Sequence, residues 1–237
     1  RGWLPADLGA GVRAAFTFHG FDLAQEAGRD ALAAAWGTPL VFATQVHGAR
    51  LEWVSPPTAG DTWEPAATGP GDVLAQTRAW PTCDALGTGT DGIGLVIRTA
   101  DCVPVLLADP AARLVAAVHV GWRGLLAGVV EGAVADLRER GARDLRAALG
   151  PAICGRCYQV GEDLAERARA GGHVTGRGAD GSPRLDVGAS AERQLASRGV
   201  TVAARIRECT AESNRLFSWR ARRDAGRQGA VIALAAP

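Results

Sequence analysis

The longest apolar runs of the chain lie near its middle. Val103–Ala108 (VPVLLA) and Leu114–Val120 (LVAAVHV) read as strands. Asp109-Pro110-Ala111-Ala112 between them is turn chemistry, so the pair reads as a hairpin. Ile93–Thr99 is another strand, alternating Ile93, Leu95 and Ile97 with Gly94, Val96 and Arg98. Leu40–Val46, Leu51–Val54, Leu145–Leu149, Thr201–Ile206 and Ala230–Ala235 are shorter strand-like runs, and Ala14–Phe18 is a further one.

Other segments carry helical spacing. Glu26–Trp36 puts Ala31, Leu32 and Ala35 on one face, and Gly37-Thr38-Pro39 stops it. Gly124–Arg140 is the clearest helix: Leu125, Val129, Ala133 and Leu137 share a face that excludes Glu131, Arg138 and Glu139. Glu162–Ala170 and Ala191–Arg198 read as helices too. Ser55–Gly71, rich in Pro, Gly and Thr, and the Gly-rich Gly171–Pro183 read as loops. No internal repeat and no low-complexity linker divides the chain, so one domain over residues 1–237 is expected.

Composition narrows the class. A chain of 237 residues with 47% hydrophobic and 22% charged residues can bury a sizeable core. No apolar run approaches a membrane-spanning length, and the net charge of +1 gives no electrostatic footprint for nucleic acid or a membrane surface. The basic residues are all Arg. Five Cys at irregular spacing do not resemble a secreted disulfide framework, so a reducing cytoplasm is the expected compartment.

The hairpin changes the picture further, because it can bring Cys102, before one strand, near His119, at the end of the next. A thiol and an imidazole meeting at strand ends form a metal site or a nucleophile–base pair; alternatively both are structural residues of the core. His47, followed by Gly48 at the end of a strand, is exposed enough to act as a ligand. The helix start at Gly121–Gly124 offers unpaired N–H groups beside His119, and Arg123 either adds a positive charge there or caps a carbonyl. Cys154 and Cys157 form a C-x-x-C, the spacing of a redox pair or of half a zinc ribbon, with no second C-x-x-C in the chain. Gly87 and Gly89 resemble a phosphate loop but lack its Lys. Phe217–Arg227 is Arg-rich, an anion-binding patch or a solvated edge. His19 and His173 read as turn or solvated residues.

Several of these pieces occur together in one family. Gln45-Val46-His47-Gly48, Thr99-Ala100-Asp101-Cys102-Val103-Pro104-Val105-Leu106 and Ala117-Val118-His119-Val120-Gly121-Trp122-Arg123-Gly124 resemble the motifs of the YfiH-type family. Members have been called polyphenol oxidase or laccase-domain proteins, and later multifunctional purine nucleoside enzymes. Leu149–Ile153, Tyr158–Gly161, Cys209-Thr210, Phe217–Arg220 and Gly226-Arg227 also fit, in order. The chain departs from the family near its N-terminus, where only His19–Leu23 and Gly28-Arg29 echo the usual segments, and at Arg220–Arg223, where the family has Arg-Arg-Asp.

The resemblance implies a single α/β (α+β) domain with a mixed sheet and flanking helices, comparable with Cys–His hydrolases such as the catalytic domain of cytotoxic necrotizing factor. It implies that His47, Cys102 and His119 are both the metal ligands and the catalytic residues. Two imidazoles and a thiolate suit Zn²⁺ with a position left open for water, which zinc acidifies for attack on a purine carbon. Gln45, Arg123 and Arg220 are the expected substrate contacts, the two Arg for phosphate.

The leading expectation is a zinc-dependent enzyme that phosphorolyses inosine, guanosine, adenosine or methylthioadenosine and deaminates adenosine. Its partners would be nucleosides and phosphate, not nucleic acid or membrane, and it would be a monomer or weak homodimer. A metal-free Cys102/His119 amide hydrolase editing peptidoglycan precursors is a second expectation, and a non-enzymatic binding role a further one. A copper phenol oxidase is another, but four His cannot build the copper centres of a true laccase. Any Cu²⁺ would sit singly at the same triad.

Overall fold

The structure, a computed structural model, describes residues 2–55, 62–64 and 77–235, with Thr62–Glu64 and Thr77–Ala79 described as backbone. In chain order the elements are β1 (Trp3–Pro5), β2 (Val12–Thr17), α1 (Glu26–Trp36), β3 (Leu40–Phe42), β4 (Leu51–Trp53), β5 (Thr62–Glu64), β6 (Thr77–Ala79), β7 (Ala85–Thr88), β8 (Gly94–Thr99), β9 (Val103–Asp109) and β10 (Leu114–Val120). There follow α2 (Trp122–Leu126), α3 (Val129–Glu139), β11 (Arg146–Leu149), α4 (Glu162–Ala170), β12 (Thr175–Arg177), β13 (Pro183–Leu185), α5 (Val187–Ser197), β14 (Thr201–Arg205), α6 (Trp219–Arg222) and β15 (Gln228–Leu234).

The fold is mixed α+β. One sheet runs β14-β11-β9-β10-β7-β4 and a second runs β1-β2-β15-β8-β3. Both are mixed: β11 with β14, β4 with β7 and β3 with β8 are parallel, and the other neighbours are antiparallel. Strand alternation explains why the sheets stack. In β9, Val103, Val105 and Leu107 join the core under α3 and α5, whereas Leu106 and Ala108 join the core shared with the second sheet. In β10, Ala116 and Val118 face the helices, and Val115 and Ala117 face the other sheet. β9 and β10 are thus buried on both faces, which is why they read as unbroken apolar runs. A third core on the outer face of the second sheet holds Leu32 and Trp36 of α1 against Val96 and Val231.

The hairpin turn is fixed by Asp109. Its buried carboxylate accepts from the backbone N–H of Ala112 at 2.9 Å, Arg143 at 2.6 Å and Asp144 at 2.8 Å. Burial alone would raise this carboxyl, but those N–H groups outweigh it and hold the group below its usual range.

Several expectations need correction. The helix expected over Gly124–Arg140 is two helices, α2 and α3, separated by Gly128 at φ +80°. Glycine adopts this left-handed conformation without a Cβ penalty, and it redirects the chain after one short helix. Gly87, read from the sequence as part of a Gly/Thr-rich turn, is a buried residue of β7 paired between β10 and β4. A Cβ there would lie 3.1 Å from the Trp53 ring, so this glycine serves close packing and cradles no phosphate.

Other boundaries also move. The strand expected over Leu40–Val46 ends at Phe42, because the Gln45 side chain takes over the pairing. Its amide donates to Arg98 O and accepts from Arg98 N, each at 2.8 Å. The helix at Ala191–Arg198 starts earlier, at Val187, capped by the Asp186 carboxylate. The loop expected over Gly171–Pro183 contains β12, paired with β13. Most of the loop expected over Ser55–Gly71 lies outside the described residues; within it, β5 pairs with β6.

Candidate metal centre and its cleft

In the β9–β10 hairpin His119 stands opposite Pro104 and Val120 opposite Val103, so Cys102 and His119 come to one end of one pair of strands. His47 arrives from the turn after β3. The Nδ1 or Nε2 of each His and the Cys102 Sγ lie within 4.8 Å of one another. The two imidazole rings stand edge to face with centroids 4.8 Å apart.

Asp84, just before β7, assembles this triad. Its fully buried carboxylate accepts from the backbone N–H of His47 at 2.9 Å, Gly48 at 2.6 Å and Val46 at 3.2 Å, and contacts His119 Nδ1 at 2.8 Å. Burial would raise the Asp84 carboxyl, but the bonds from His119 and Gly48 hold it low. An ionised Asp84 accepts the Nδ1 proton and leaves Nε2 of His119 for the site. The same bonds hold His47 at φ +61°, a left-handed conformation that a histidine adopts at a cost of about 1–2 kcal/mol.

Asp101 is the second organiser. It sits at φ +88° and its buried carboxylate accepts from Thr210 Oγ1 at 2.6 Å, Ser218 Oγ at 2.7 Å and the Arg220 backbone N–H at 2.6 Å. The C-terminal segment is thereby fastened to the residue that precedes Cys102. Gly121 completes the geometry: a Cβ there would lie 2.9 Å from His47 Cδ2 and 3.2 Å from Cys102 Sγ. Only hydrogen fits between the His47 and Cys102 side chains and the start of α2.

The electrostatics favour a thiolate. Burial pushes the Cys102 thiol up, but the His119 charge and hydrogen bonds from His119 and His47 override it and bring it down to about 6. Burial would lower His119, yet the Cys102 charge and the Asp84 hydrogen bond raise it to about 9. Two imidazoles and a ready thiolate, with the far nitrogen of one imidazole held by a carboxylate, are a donor set that fits zinc.

The triad opens into a cleft of about 680 Å³. All six residues singled out from the sequence line it: Gln45, His47, Cys102, His119, Arg123 and Arg220. Gln45 has both ends of its amide committed to Arg98. Arg123 is exposed with its guanidinium 4.4 Å from the centre of the Trp122 ring, and Arg220 donates to Gln159 O at 3.0 Å. Helix α2, in which Arg123 is the second residue, has five residues, so the positive charge near its start is that of Arg123 rather than of a long helix dipole.

Arg227, from the Arg-rich segment read as an anion-binding patch or a solvated edge, also lines the cleft, and so does Arg98, which sequence reasoning missed. Among the described residues, none of Arg98, Arg123, Arg220 and Arg227 forms an ion pair with a carboxylate. Arg98 is brought down to about 10 by burial and by the charges of Arg29 and Arg227, and its buried Nε finds no partner. Arg29 and Arg227 thus repel Arg98, a repulsion that an anion placed beside them would relieve. Only the apolar run that β8 shares with Arg98 was visible in the sequence. His19, packed on Phe217, and His173 lie outside the cleft, and Cys154 of the C-x-x-C lines a different one.

The fold and the site together define a family. The sequence model of the family described as "multi-copper polyphenol oxidoreductase laccase" matches residues 22–235, and the chain belongs to this family, that of the YfiH proteins. Among solved structures it is similar to YlmD from Geobacillus stearothermophilus, with a TM-score of 0.79 and 28% identity over 100% of this chain and 97% of that one. It is also similar to the YfiH protein of Bacillus licheniformis, with a TM-score of 0.75 and 26% identity over 94% and 92% of the two chains. A purine nucleoside phosphorylase of Streptomyces coelicolor is 41% identical over 196 residues, 81% of this chain and 74% of the relative. An adenosine deaminase from an unknown prokaryotic organism is 34% identical over 139 residues, 56% of this chain and 53% of the relative.

Proposed function

We propose that this chain is a zinc-dependent purine nucleoside enzyme. It cleaves adenosine, inosine, guanosine and methylthioadenosine with phosphate, giving the base and (methylthio)ribose 1-phosphate, and it deaminates adenosine with water. The observation that carries this reading is one cleft holding both a two-imidazole, one-thiolate donor set and guanidinium groups that no carboxylate neutralises. Relatives named purine nucleoside phosphorylase and adenosine deaminase support it.

His47, Cys102 and His119 would hold the metal, which supplies Lewis acidity to a substrate atom or a water. Asp84 keeps His119 in one tautomer and one orientation. In phosphorolysis a phosphate oxygen bonds to C1′ of the ribose while the bond from C1′ to the base breaks, and the base leaves with the electron pair. Arg98, Arg123, Arg220 and Arg227 neutralise the phosphate so that it can approach. Trp219, half exposed at the cleft, offers a flat apolar face to the purine.

Residues 1–237 work in this reading as one YfiH-like domain. Five unpaired thiols among the described residues suit a cytoplasmic setting, and no helix of the described residues is long and apolar enough to cross a membrane. The test is product chromatography with adenosine. Inosine should form without phosphate, and adenine plus ribose 1-phosphate should appear when phosphate is added. Absence of both products from zinc-loaded protein refutes the proposal.

One observation favours a second reading. Asp84, His119 and Cys102 stand in the order of a carboxylate–imidazole–nucleophile relay, which a metal-free amide hydrolase would use. Iodoacetamide distinguishes the two. A Cys102 engaged by zinc is alkylated slowly and becomes fast on chelation, whereas a free nucleophile is fast throughout.

A further inference from the structure

Cys154-x-x-Cys157 does not stand alone. The segment after β11 carries it, and the segment after β14 carries Cys209-x-x-Glu212. Backbone contacts clamp the two segments together: Ala152 bridges Cys209, Thr210 N–H donates to Ala152 O at 3.1 Å, and Cys154 N–H reaches Cys209 Sγ at 3.4 Å. Each x-x spacing is closed by its own turn, with Cys157 N–H donating to Cys154 O at 3.0 Å and Glu212 N–H to Cys209 O at 3.2 Å. The Cys157 thiol in turn donates to Glu212 Oε1 at 3.4 Å. One ligand atom from each of Cys154, Cys157, Cys209 and Glu212 lies within 4.8 Å of every other, the same closeness as in the His47–Cys102–His119 triad.

We propose that Cys154, Cys157, Cys209 and Glu212 form a second, structural zinc site. Three sulfurs and a carboxylate match the four-coordinate, thiolate-rich set that structural zinc takes, and the C-x-x-C supplies the usual ligand spacing. All three cysteines are unpaired, with Cys209 buried and the other two half-buried. The excess negative charge of such a set is offset nearby, since the cluster borders a cleft of about 670 Å³ that Arg156, Arg205 and Arg207 also line. The Arg156 guanidinium pairs with both Glu212 oxygens at 3.3 Å, so zinc entry draws Glu212 away from Arg156.

The site has a purpose in the fold. It would staple the loop that ends in Tyr158, a wall of the first cleft, to the segment whose Thr210 braces Asp101 beside Cys102. Ile153 lines both clefts and stands between them. The inference rests on this cluster alone and holds whatever reaction the first cleft performs.

The test is zinc titration of metal-free, anaerobically reduced full-length protein, read by calorimetry and elemental analysis after desalting. The wild type should retain two zinc ions per chain, Cys209→Ser and Cys154→Ser one each, and Cys102→Ala one. The Cys102→Ala/Cys209→Ser double variant should retain none. Mass spectrometry of alkylated wild-type protein gives a readout that needs no variant. Cys154 and Cys157 should be protected by zinc and exposed on chelation. One zinc per chain in the wild type that Cys209→Ser keeps and Cys102→Ala loses overturns the proposal, whereas one zinc that Cys209→Ser loses leaves it standing and removes metal from the first cleft instead. Alkylation of Cys154 and Cys157 that zinc does not slow also overturns it, as does a disulfide among these cysteines that survives in the reduced preparation.

Discussion

Asp84→Asn is the most informative single substitution, because one carboxylate organises three backbone N–H groups and the His119 imidazole. Oδ1 serves His47 N–H and His119 Nδ1, while Oδ2 serves Gly48 N–H and Val46 N–H. An asparagine keeps one acceptor oxygen and puts an NH₂ in the place of the other. If the NH₂ replaces Oδ2, it faces two N–H donors and the turn that carries His47 loosens. If it replaces Oδ1, it drives the His119 proton to Nε2, against Cys102. Either orientation loses at least one hydrogen bond to a charged acceptor, about 1.5–3 kcal/mol each. The expected loss of stability is about 2–4 kcal/mol, or roughly 5–15 °C in Tm for a chain of this size. Zinc affinity at the triad should fall about 10–100-fold, the usual consequence of removing a partner that orients a ligating imidazole. The assay is chelator competition in a Cys154→Ser/Cys209→Ser background, which isolates the triad, together with ¹⁵N NMR of the His119 ring for its tautomer. Unchanged zinc affinity and an unchanged tautomer would refute the reasoning. A lowered Tm with unchanged zinc affinity would leave Asp84 as a brace of the chain only.

Three further outcomes are expected. Arg123→Ala should raise the KM for phosphate by about 10–150-fold, the equivalent of about 1.5–3 kcal/mol, with a smaller effect on deamination and an unchanged Tm; equal loss of both reactions with a lowered Tm would make Arg123 a brace of its turn. Gly121→Ala should weaken zinc binding at the triad about tenfold while circular dichroism stays as in the wild type, because its Cβ intrudes on His47 and Cys102 alone; full zinc affinity would show that the triad can shift to accommodate it. Asp109→Asn should cost about 2–4 kcal/mol in urea unfolding at neutral pH, since the Oδ2 contacts to Arg143 and Asp144 are lost. Because the folded-state pKa of Asp109 lies below its unfolded value, that carboxylate contributes fully above about pH 4 and loses its contribution as pH falls through the folded value, so the gap between wild type and variant should close in acid. A gap independent of pH would contradict this account of the turn.

What could be read in the sequence was local. The β9–β10 hairpin was legible because strands buried on both faces leave unbroken apolar runs and Asp109-Pro110 marks the turn. Helices α1 and α4 were legible to the residue. The break at Gly128 was hidden because the four-residue spacing of Leu125 and Val129 survives across it. Strand β7 was hidden because Gly87 and Thr88 have turn propensity, which pairing with β10 and β4 overrides. The meeting of His47, Cys102 and His119 was legible because each lies in a short motif of its own. Asp84 was not, since its partners Gly48 and His119 lie 36 and 35 residues away. Asp101 bonds to residues 109 to 119 positions further along the chain, a distance at which no periodicity carries information.

The central claim is that the His47–Cys102–His119 site, with metal, drives phosphate-dependent cleavage of a nucleoside. Its most direct measurement is the initial rate of hypoxanthine release from inosine and phosphate. The rate is followed in chelated protein, in the same protein after zinc is restored, and in Cys102→Ala treated identically. The account predicts that chelated protein is inactive, that zinc restores the rate, and that Cys102→Ala stays inactive with or without zinc. Hypoxanthine release at the full rate from metal-free protein, or from Cys102→Ala, would contradict it.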